Sequence, residues 1–289
     1  MADLSSFFEQ HYLRVVLAGR SPATVADMRS FVSVWDKSMG PLDLREIDLP
    51  TASNYLRSLL KDHSAATANK HRSYLLAMLR EARREKLVRG GWFKRLRKLP
   101  EEQKLPEAWD RAQVERVLAE AAKQPGEMVG VPLCDWWRAF MLVLVNTGVR
   151  RKAGLSILTA DVDLERRLLV VRATGQKTRK DQCFAVSERT ADAIQAIYVP
   201  TRIALFPWFA CQATLGRHFK RICQRAGVPC GGHSGVCHRA RSTAITHAWA
   251  VSPDAARQMA GHPSLKTTQE HYVDPRVLAE LAPLPIKLF

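Results

Sequence analysis

Three absences narrow the field before any motif is considered. The longest apolar run, FMLVLV at residues 140–145, is far below the roughly 20 residues that a membrane-spanning helix needs. The opening MADLSSFFEQ lacks the basic stretch and apolar core of a secretory leader. A cytoplasmic protein without a membrane partner is therefore expected, with its six cysteines as reduced thiols. The sequence also lacks a GxxxxGK nucleotide loop, since TGQKT at residues 174–178 matches only the tail of that motif, and it shows no carboxylate cluster of the kind a two-metal nuclease requires. Acidic charge is the third shortage, with 28 Asp and Glu against 44 Lys and Arg, a net charge of +16 and a pI near 10.0. An excess of that size bears on partners rather than on fold, and its usual partner is a polyanion.

What is present supports two folded domains: 289 residues, 46% apolar and 25% charged, exceed the usual size of one domain. Residues 1–60 carry 6 basic and 7 acidic side chains, whereas residues 61–105 carry 13 basic and 5 acidic. The densest basic stretch, RGGWFKRLRKLPEEQK, is broken by Gly, Pro and acids and does not read as an amphipathic membrane anchor. Nucleic acid is the favoured partner.

The first hundred residues read as successive helices. SPATVADMRSFVSVWDKSMG has Ser21 as N-cap, Pro22 in the first turn and Gly40 as terminator. DLPTASNYLRSLLKD follows, and then a helix from the Ser64 cap to the stop at Gly90 and Gly91. In that last helix Leu75, Leu76, Leu79 and Ala82 form an apolar stripe. Lys70, Arg72, Arg80, Arg83, Arg84 and Lys86 mostly point elsewhere, leaving a face for phosphates. Periodicity is lost from 89 to 109, which reads as a basic linker carrying Lys94, Arg95 and Arg97. The expected division is 1–105 for a helical DNA-binding domain and 106–289 for a second domain. In the latter, Asp110 and Gln113 form a capping box, DWWRAFMLVLVNTG a buried helix ending at Gly148, and RRLLVVRATGQKTRKDQCFAVS one hairpin before helices resume at Ser187.

Four separated pieces of the second domain set cationic or imidazole groups beside turn residues: NTGVRR with Arg150, TGQKTRK with Lys177, HRARST with His238 and Arg241, and AGHPSLKTTQEHY with His262 and Tyr272. Arginine offers a planar, permanently charged fork that fits phosphate oxygens. Lysine at a hairpin tip can reach a leaving oxygen, histidines can move protons near neutral pH, and tyrosine can form a covalent ester. His271 stands next to Tyr272, so the pattern alone leaves a one-residue ambiguity. CQRAGVPCGGHSGVCH gathers Cys223, Cys230, His233, Cys237 and His238, but spacings of six, two and three are not those of a zinc finger, and no metal is expected there.

In their order and wording these pieces resemble the tyrosine recombinases, also called the phage-integrase family. The resemblance rests on Thr147-Gly148-Val149-Arg150, Lys177, His238 to Arg241, Gly261-His262 and Tyr272, and on the helical first half. It implies a mainly α fold with a small β-hairpin or sheet in the C-terminal domain, in the family's two-domain architecture. It also implies a site-specific recombinase that cleaves and rejoins DNA through a 3′-phosphotyrosyl intermediate, with Arg150, Lys177, His238, Arg241, His262 and Tyr272 as catalytic residues. Lys180 stands in reserve for Lys177. The chain departs from the family at Ala153, where an acidic residue is usual.

On this reading Tyr272 attacks phosphorus in line, the arginines and His262 stabilise the charge, and Lys177 protonates the 5′ oxygen. His238 serves as general base or second phosphate donor. A free phenol has a pKa of about 10, so it needs nearby positive charge to act at neutral pH. The ester conserves the bond energy, so neither ATP, metal nor other cofactor is expected. Double-stranded DNA is the partner, held mostly through phosphates with steep salt dependence. The resemblance further implies a homotetramer on paired sites, with room for accessory DNA-bending proteins, and a nucleoid-associated location. The tail VLAELAPLPIKLF would dock on a neighbouring subunit or on its own chain. A type IB-like topoisomerase and a catalytically inactive DNA-binding relative, the latter suggested by Ala153, are the alternatives.

Overall fold

The computed structural model describes residues 3–89, 91–176, 179–209, 211–230 and 235–282. The chain divides into two compact units, Met1–Gln103 and Lys104–Phe289. Each has its own apolar core, and the fold is mainly helical with small antiparallel sheets.

In the first unit, helices begin where a side chain can satisfy the free backbone N–H groups of the first turn. Helix α1 (Pro22–Met39) starts at Ser21, which accepts from Thr24 N–H, and stops at Gly40 with φ 71°. Asp48 caps α2 (Leu49–Ser58), and Ser64 caps α3 (Ala65–Arg84). Trp35, Phe31 and Tyr55 are buried at their meeting point, with Trp35 and Tyr55 in an edge contact at 4.7 Å. Ahead of them a helical run contains a π turn, Phe8–Tyr12, where His11 lies 3.6 Å from Glu81 of α3 and 3.8 Å from Glu85 just past its end.

Helix α3 ends at Arg84, not at the Gly90-Gly91 pair. Lys86 takes φ 59°, and the N–H groups of Leu87 and Lys86 return to the carbonyls of Ala82 and Arg83. This is the Schellman closure, here made without glycine because Leu87 turns back onto the core. The following stretch, expected to be linker, is anchored rather than free. Phe93 and Leu96 are buried in the core of the first unit. Arg72 donates from Nε and Nη2 to Leu96 O at 2.8 and 2.5 Å, and buried Asn69 both donates to Leu99 O and accepts from Leu99 N–H, each at 2.9 Å.

In the second unit, the capping box of Asp110 and Gln113 opens α4 (Arg111–Ala121). Helix α5 (Leu133–Thr147) is buried through Trp136, Trp137, Phe140 and Leu144 and closes on left-handed Gly148. After α6 (Arg151–Leu155) comes a three-stranded sheet, β1 (Val162–Asp163), β2 (Leu168–Val171) and β3 (Gln182–Ala185), in sequence order. The expected hairpin is thus β2–β3, joined by a third strand, and a separate two-residue pair links Glu127–Met128 to Val131–Pro132. Leu169 and Val171 alternate into the core. Five helices complete the unit after α7 (Glu188–Ile197): α8 (Gln212–Arg225), α9 (Val236–Val251), α10 (Pro253–Ala260), α11 (Leu265–Tyr272) and α12 (Pro275–Leu281). An aromatic cluster of Trp136, Trp137, Phe140, Phe206 and Phe219 fills the core under α5, and Trp136 satisfies its indole N–H on Pro207 O at 3.0 Å. No described helix is long and apolar enough to cross a membrane.

Asn69→Ala would leave the backbone N–H and C=O of Leu99 without their partner. It is expected to lower the stability of the first unit by about 2 kcal/mol, read as a shift of the urea midpoint, whereas an unchanged midpoint would show that water replaces the side chain freely.

Candidate active site

Two left-handed glycines shape the site. Gly148 (φ 63°) ends α5, and a Cβ there would crowd Met259 and Ala244 at 3.3–3.4 Å. Gly261 (φ 65°) ends α10. Both positions demand a conformation that side chains resist, which is why TG and GH stand at these turns. Arg150 follows the first glycine as the N-cap residue of α6, and His262 follows the second.

Helix α9 presents His238 and Arg241 one turn apart, and α11 ends on Tyr272. The Tyr272 ring lies 5.0 Å from the His238 ring and 4.8 Å from the His262 ring, with the Arg241 guanidinium 5.1 Å from its centre. Tyr272 is also buried in a small apolar cluster with Ile245, Ala256, Ala260 and Val273. His271 is exposed. A cleft of about 680 Å³ opens on Arg150, His238, His262, His271 and Tyr272. A second, of about 640 Å³, shares Arg150 and His238 and adds Arg151, Lys152, Arg217, Lys220 and Arg241.

Arg241 is 3% exposed. Its Nη1 donates to Gly148 O at 2.5 Å and its Nη2 to Ala260 O at 2.6 Å, so it fastens together the C-terminal ends of α5 and α10. Helix C-termini carry partial negative charge, which favours a cation there. Among the described residues its buried Nε–H has no hydrogen-bond partner. Burial and then Arg150 lower its pKa to about 10, with Tyr272 opposing the shift, and it remains a cation at neutral pH. Among the described residues no hydrogen bond or ion pair engages the Arg150 side chain.

Burial, Arg241 and Arg150 lower the pKa of His238, and the same groups together with His271 lower that of His262 to about 4. Both imidazoles are therefore neutral at pH 7. Thr268 donates its hydroxyl proton to Ser264 O at 3.2 Å and lies 3.1 Å from His262 Nδ1. Thr268 thus holds the His262 ring through Nδ1, and among the described residues no hydrogen bond engages Nε2.

Lys177 lies outside the described residues, as does Thr178. The loop that contains them is closed by Gln176, whose Nε2 donates to Val171 O and Lys180 O at 3.0 and 2.8 Å. Lys180 is exposed. Ala153 is buried, and Gly175 approaches so closely that a Cβ would fall 1.8 Å from Ser156 Oγ. Position 153 is thus packed beneath the hairpin loop rather than charged.

In the first unit Arg80, Arg83, Lys94, Arg95 and Arg97 are exposed, whereas Lys70 pairs with Asp27 at 2.9 Å, Arg84 with Glu81 at 2.8 Å, and Arg72 is committed to Leu96. The one group of three potential metal ligands gathered among the described residues is His11, Glu81 and Glu85, also in the first unit. Of the cysteine cluster, His233 lies outside the described residues. Burial pushes the Cys223 thiol up and the Cys237 thiol to about 12, which keeps both protonated. Sequence reasoning missed Thr268, Thr246 and Asp274. Thr268 was visible only as a polar residue one helical turn before Tyr272.

Residues 107–277, more than half of the chain, match the phage integrase family. The chain belongs to this family. It is similar to tyrosine recombinase XerC 2 of Ralstonia nicotianae, 27% identical over 305 residues covering 92% of this chain and 81% of that one. Similarity to tyrosine recombinase XerA of Thermococcus kodakarensis is 29% over 178 residues, and the match spans 57% of each chain. A lambda integrase dimer bound to a COC′ core site shares the fold with a TM-score of 0.77 at 18% identity, covering 95% of this chain and 96% of that one. The resemblance seen in the motifs is thereby borne out.

The imidazole environment has a consequence for stability. Between the ordinary His pKa of 6.5 and the native value of about 4 for His262, the unfolded chain takes up a proton that the native site refuses. Stability is therefore fullest above pH 6.5 and falls as pH drops toward 4. His262→Gln should flatten that fall in a Tm-versus-pH series, and an identical slope would contradict the assignment.

Proposed function

We propose that this chain is a site-specific DNA recombinase or integrase that cuts and rejoins strands through a phosphotyrosyl ester on Tyr272. The observation that carries this reading is the convergence of Arg150, Arg241, His238 and His262 around one tyrosine, with a buried guanidinium N–H on Arg241 still lacking an acceptor. An unsatisfied buried donor is costly unless a ligand completes it, and a phosphate oxygen supplies both acceptor and negative charge.

In the cleavage step the Tyr272 oxygen bonds to phosphorus as the bond from phosphorus to the 5′ oxygen breaks, leaving a 3′-phosphotyrosyl link. The phenol proton passes to an imidazole. His238 and His262, both neutral at pH 7 and each with its ring about 5 Å from the tyrosine ring, are placed for this, one as base and the other as a donor to the phosphate. Lys177, on the loop between β2 and β3, gives a proton to the departing 5′ oxygen. Arg150 and Arg241 neutralise the charge that builds on the non-bridging oxygens. Rejoining runs the same steps backwards, so the bond energy is kept in the ester and neither ATP nor metal is consumed.

Exposed cations at Arg80, Arg83, Lys94, Arg95 and Arg97 are suited to duplex phosphates. A tetramer on paired sites is the working assembly. Supporting it, a lambda integrase tetramer bound to a Holliday junction shares the fold, with a TM-score of 0.74 at 18% identity over 93% of this chain and 77% of that one. Accessory DNA-bending proteins and a nucleoid location complete the proposal. The names of the relatives favour strand exchange over simple topoisomerase action, and the gathered site favours activity over an inactive binder.

The test uses a nicked duplex carrying the target site. Wild type is expected to give a denaturant-resistant protein–DNA adduct and to exchange strands between two labelled duplexes. Tyr272→Phe should bind with unchanged affinity and give neither product. An adduct formed by the Phe variant would reject Tyr272, and relaxation of supercoils without exchange would point to a topoisomerase.

A further inference from the structure

Helix α9 has a second working face. Arg239, Thr243 and His247, spaced one turn apart, hold the 106–109 segment as a strap along the helix. Arg239 pairs with Glu107, Thr243 Oγ1 accepts from Trp109 N–H at 2.8 Å, and His247 Nε2 lies 3.2 Å from Trp109 O. The Trp109 side chain is fully buried and its indole N–H reaches Pro229 O at 3.0 Å. A segment expected to be linker is therefore bound to the body of the second unit.

The strap also reaches the chain just past the nucleophile. Ala108 N–H donates to Asp274 Oδ2 at 3.0 Å, across 166 residues of sequence. Asp274 is 2% exposed and gripped by Arg276, from Nε to Oδ1 and from Nη2 to Oδ2, both at 2.9 Å, while Arg276 Nη2 also reaches Pro106 O at 3.3 Å. Thr246 Oγ1 donates to Tyr272 O and accepts from Asp274 N–H, each at 3.0 Å. The backbone that leaves Tyr272 is thus tied both to α9 and, through Asp274, to the strap.

Building on the assignment of Tyr272 as nucleophile, we propose that Asp274 is a positioning residue. It latches the 106–109 strap to the end of α11 and so sets the presentation of Tyr272 to the phosphate. The strap continues directly into residue 103 and the first unit.

The experiment measures single-turnover cleavage of a nicked duplex, duplex affinity and Tm for Asp274→Ala, Asp274→Asn and Arg276→Gln in the full chain. Asp274→Ala should slow cleavage by roughly 10- to 100-fold, the scale of a misplaced reacting group, with affinity within about threefold of wild type. Asn retains an acceptor oxygen for Ala108 N–H and should recover most of the rate. Arg276→Gln leaves the Asp274 carboxylate its bond to Ala108 N–H and should slow cleavage less than Asp274→Ala, with a modest fall in Tm from the lost ion pair. If Asp274→Ala folds and cleaves at the wild-type rate, or loses affinity in step with cleavage, the latch is overturned. If that variant does not fold, an undiminished rate in Arg276→Gln overturns it instead. Failure of wild type itself to form an adduct would reject the function of Tyr272, a separate outcome.

Discussion

The site depends on one buried fork. Arg241 places its two terminal nitrogens on Gly148 O and Ala260 O, and these carbonyls end the two helices whose next residues lead to Arg150 and His262. Hydrogen bonds to a charged group contribute about 1.5–3 kcal/mol each, which offsets the cost of burying a guanidinium at 3% exposure. The same fork fixes the positions of three other functional groups: Arg150 beyond α5, His262 beyond α10, and Tyr272, whose ring lies beneath the guanidinium. Lysine could not serve here, because a single ammonium lacks the planar geometry that spans two carbonyls.

Charge follows from that geometry. Burial and then the two nearby guanidinium groups keep both imidazoles neutral, so the positive charge of the site comes from the arginines. Thr268 then holds the His262 ring through Nδ1. The result is a site that sets two cations and two neutral imidazoles around one tyrosine.

Much of this was legible in the sequence because it is local. Ser21, Ser64, Asp110 and Ser187 all cap helices as their spacing foretold, and Gly148 and Gly261 stand where a left-handed turn is required. Of the residues named by the family motifs, His238, Arg241 and His262 lie against the Tyr272 ring, Arg150 lines the same cleft, and Lys177 lies outside the described residues. What escaped was set by distant contacts or by competition among local signals. Leu87 packs onto the core and ends its helix at Arg84 before the glycines are reached. Trp109 is buried because its indole and backbone find partners on Pro229, Thr243 and His247, none of which a local pattern reveals. Arg72 read as a phosphate contact, yet Leu96 O claims its guanidinium.

The central claim is that this constellation makes Tyr272 the atom donor to a 3′ phosphate. Peptide mapping by mass spectrometry of the covalent adduct from a nicked duplex tests it most directly. The account predicts a single modified peptide, with the nucleotide joined through its 3′ phosphate to Tyr272. A nucleotide found on His271 or any other side chain, or joined through a 5′ phosphate, would contradict it.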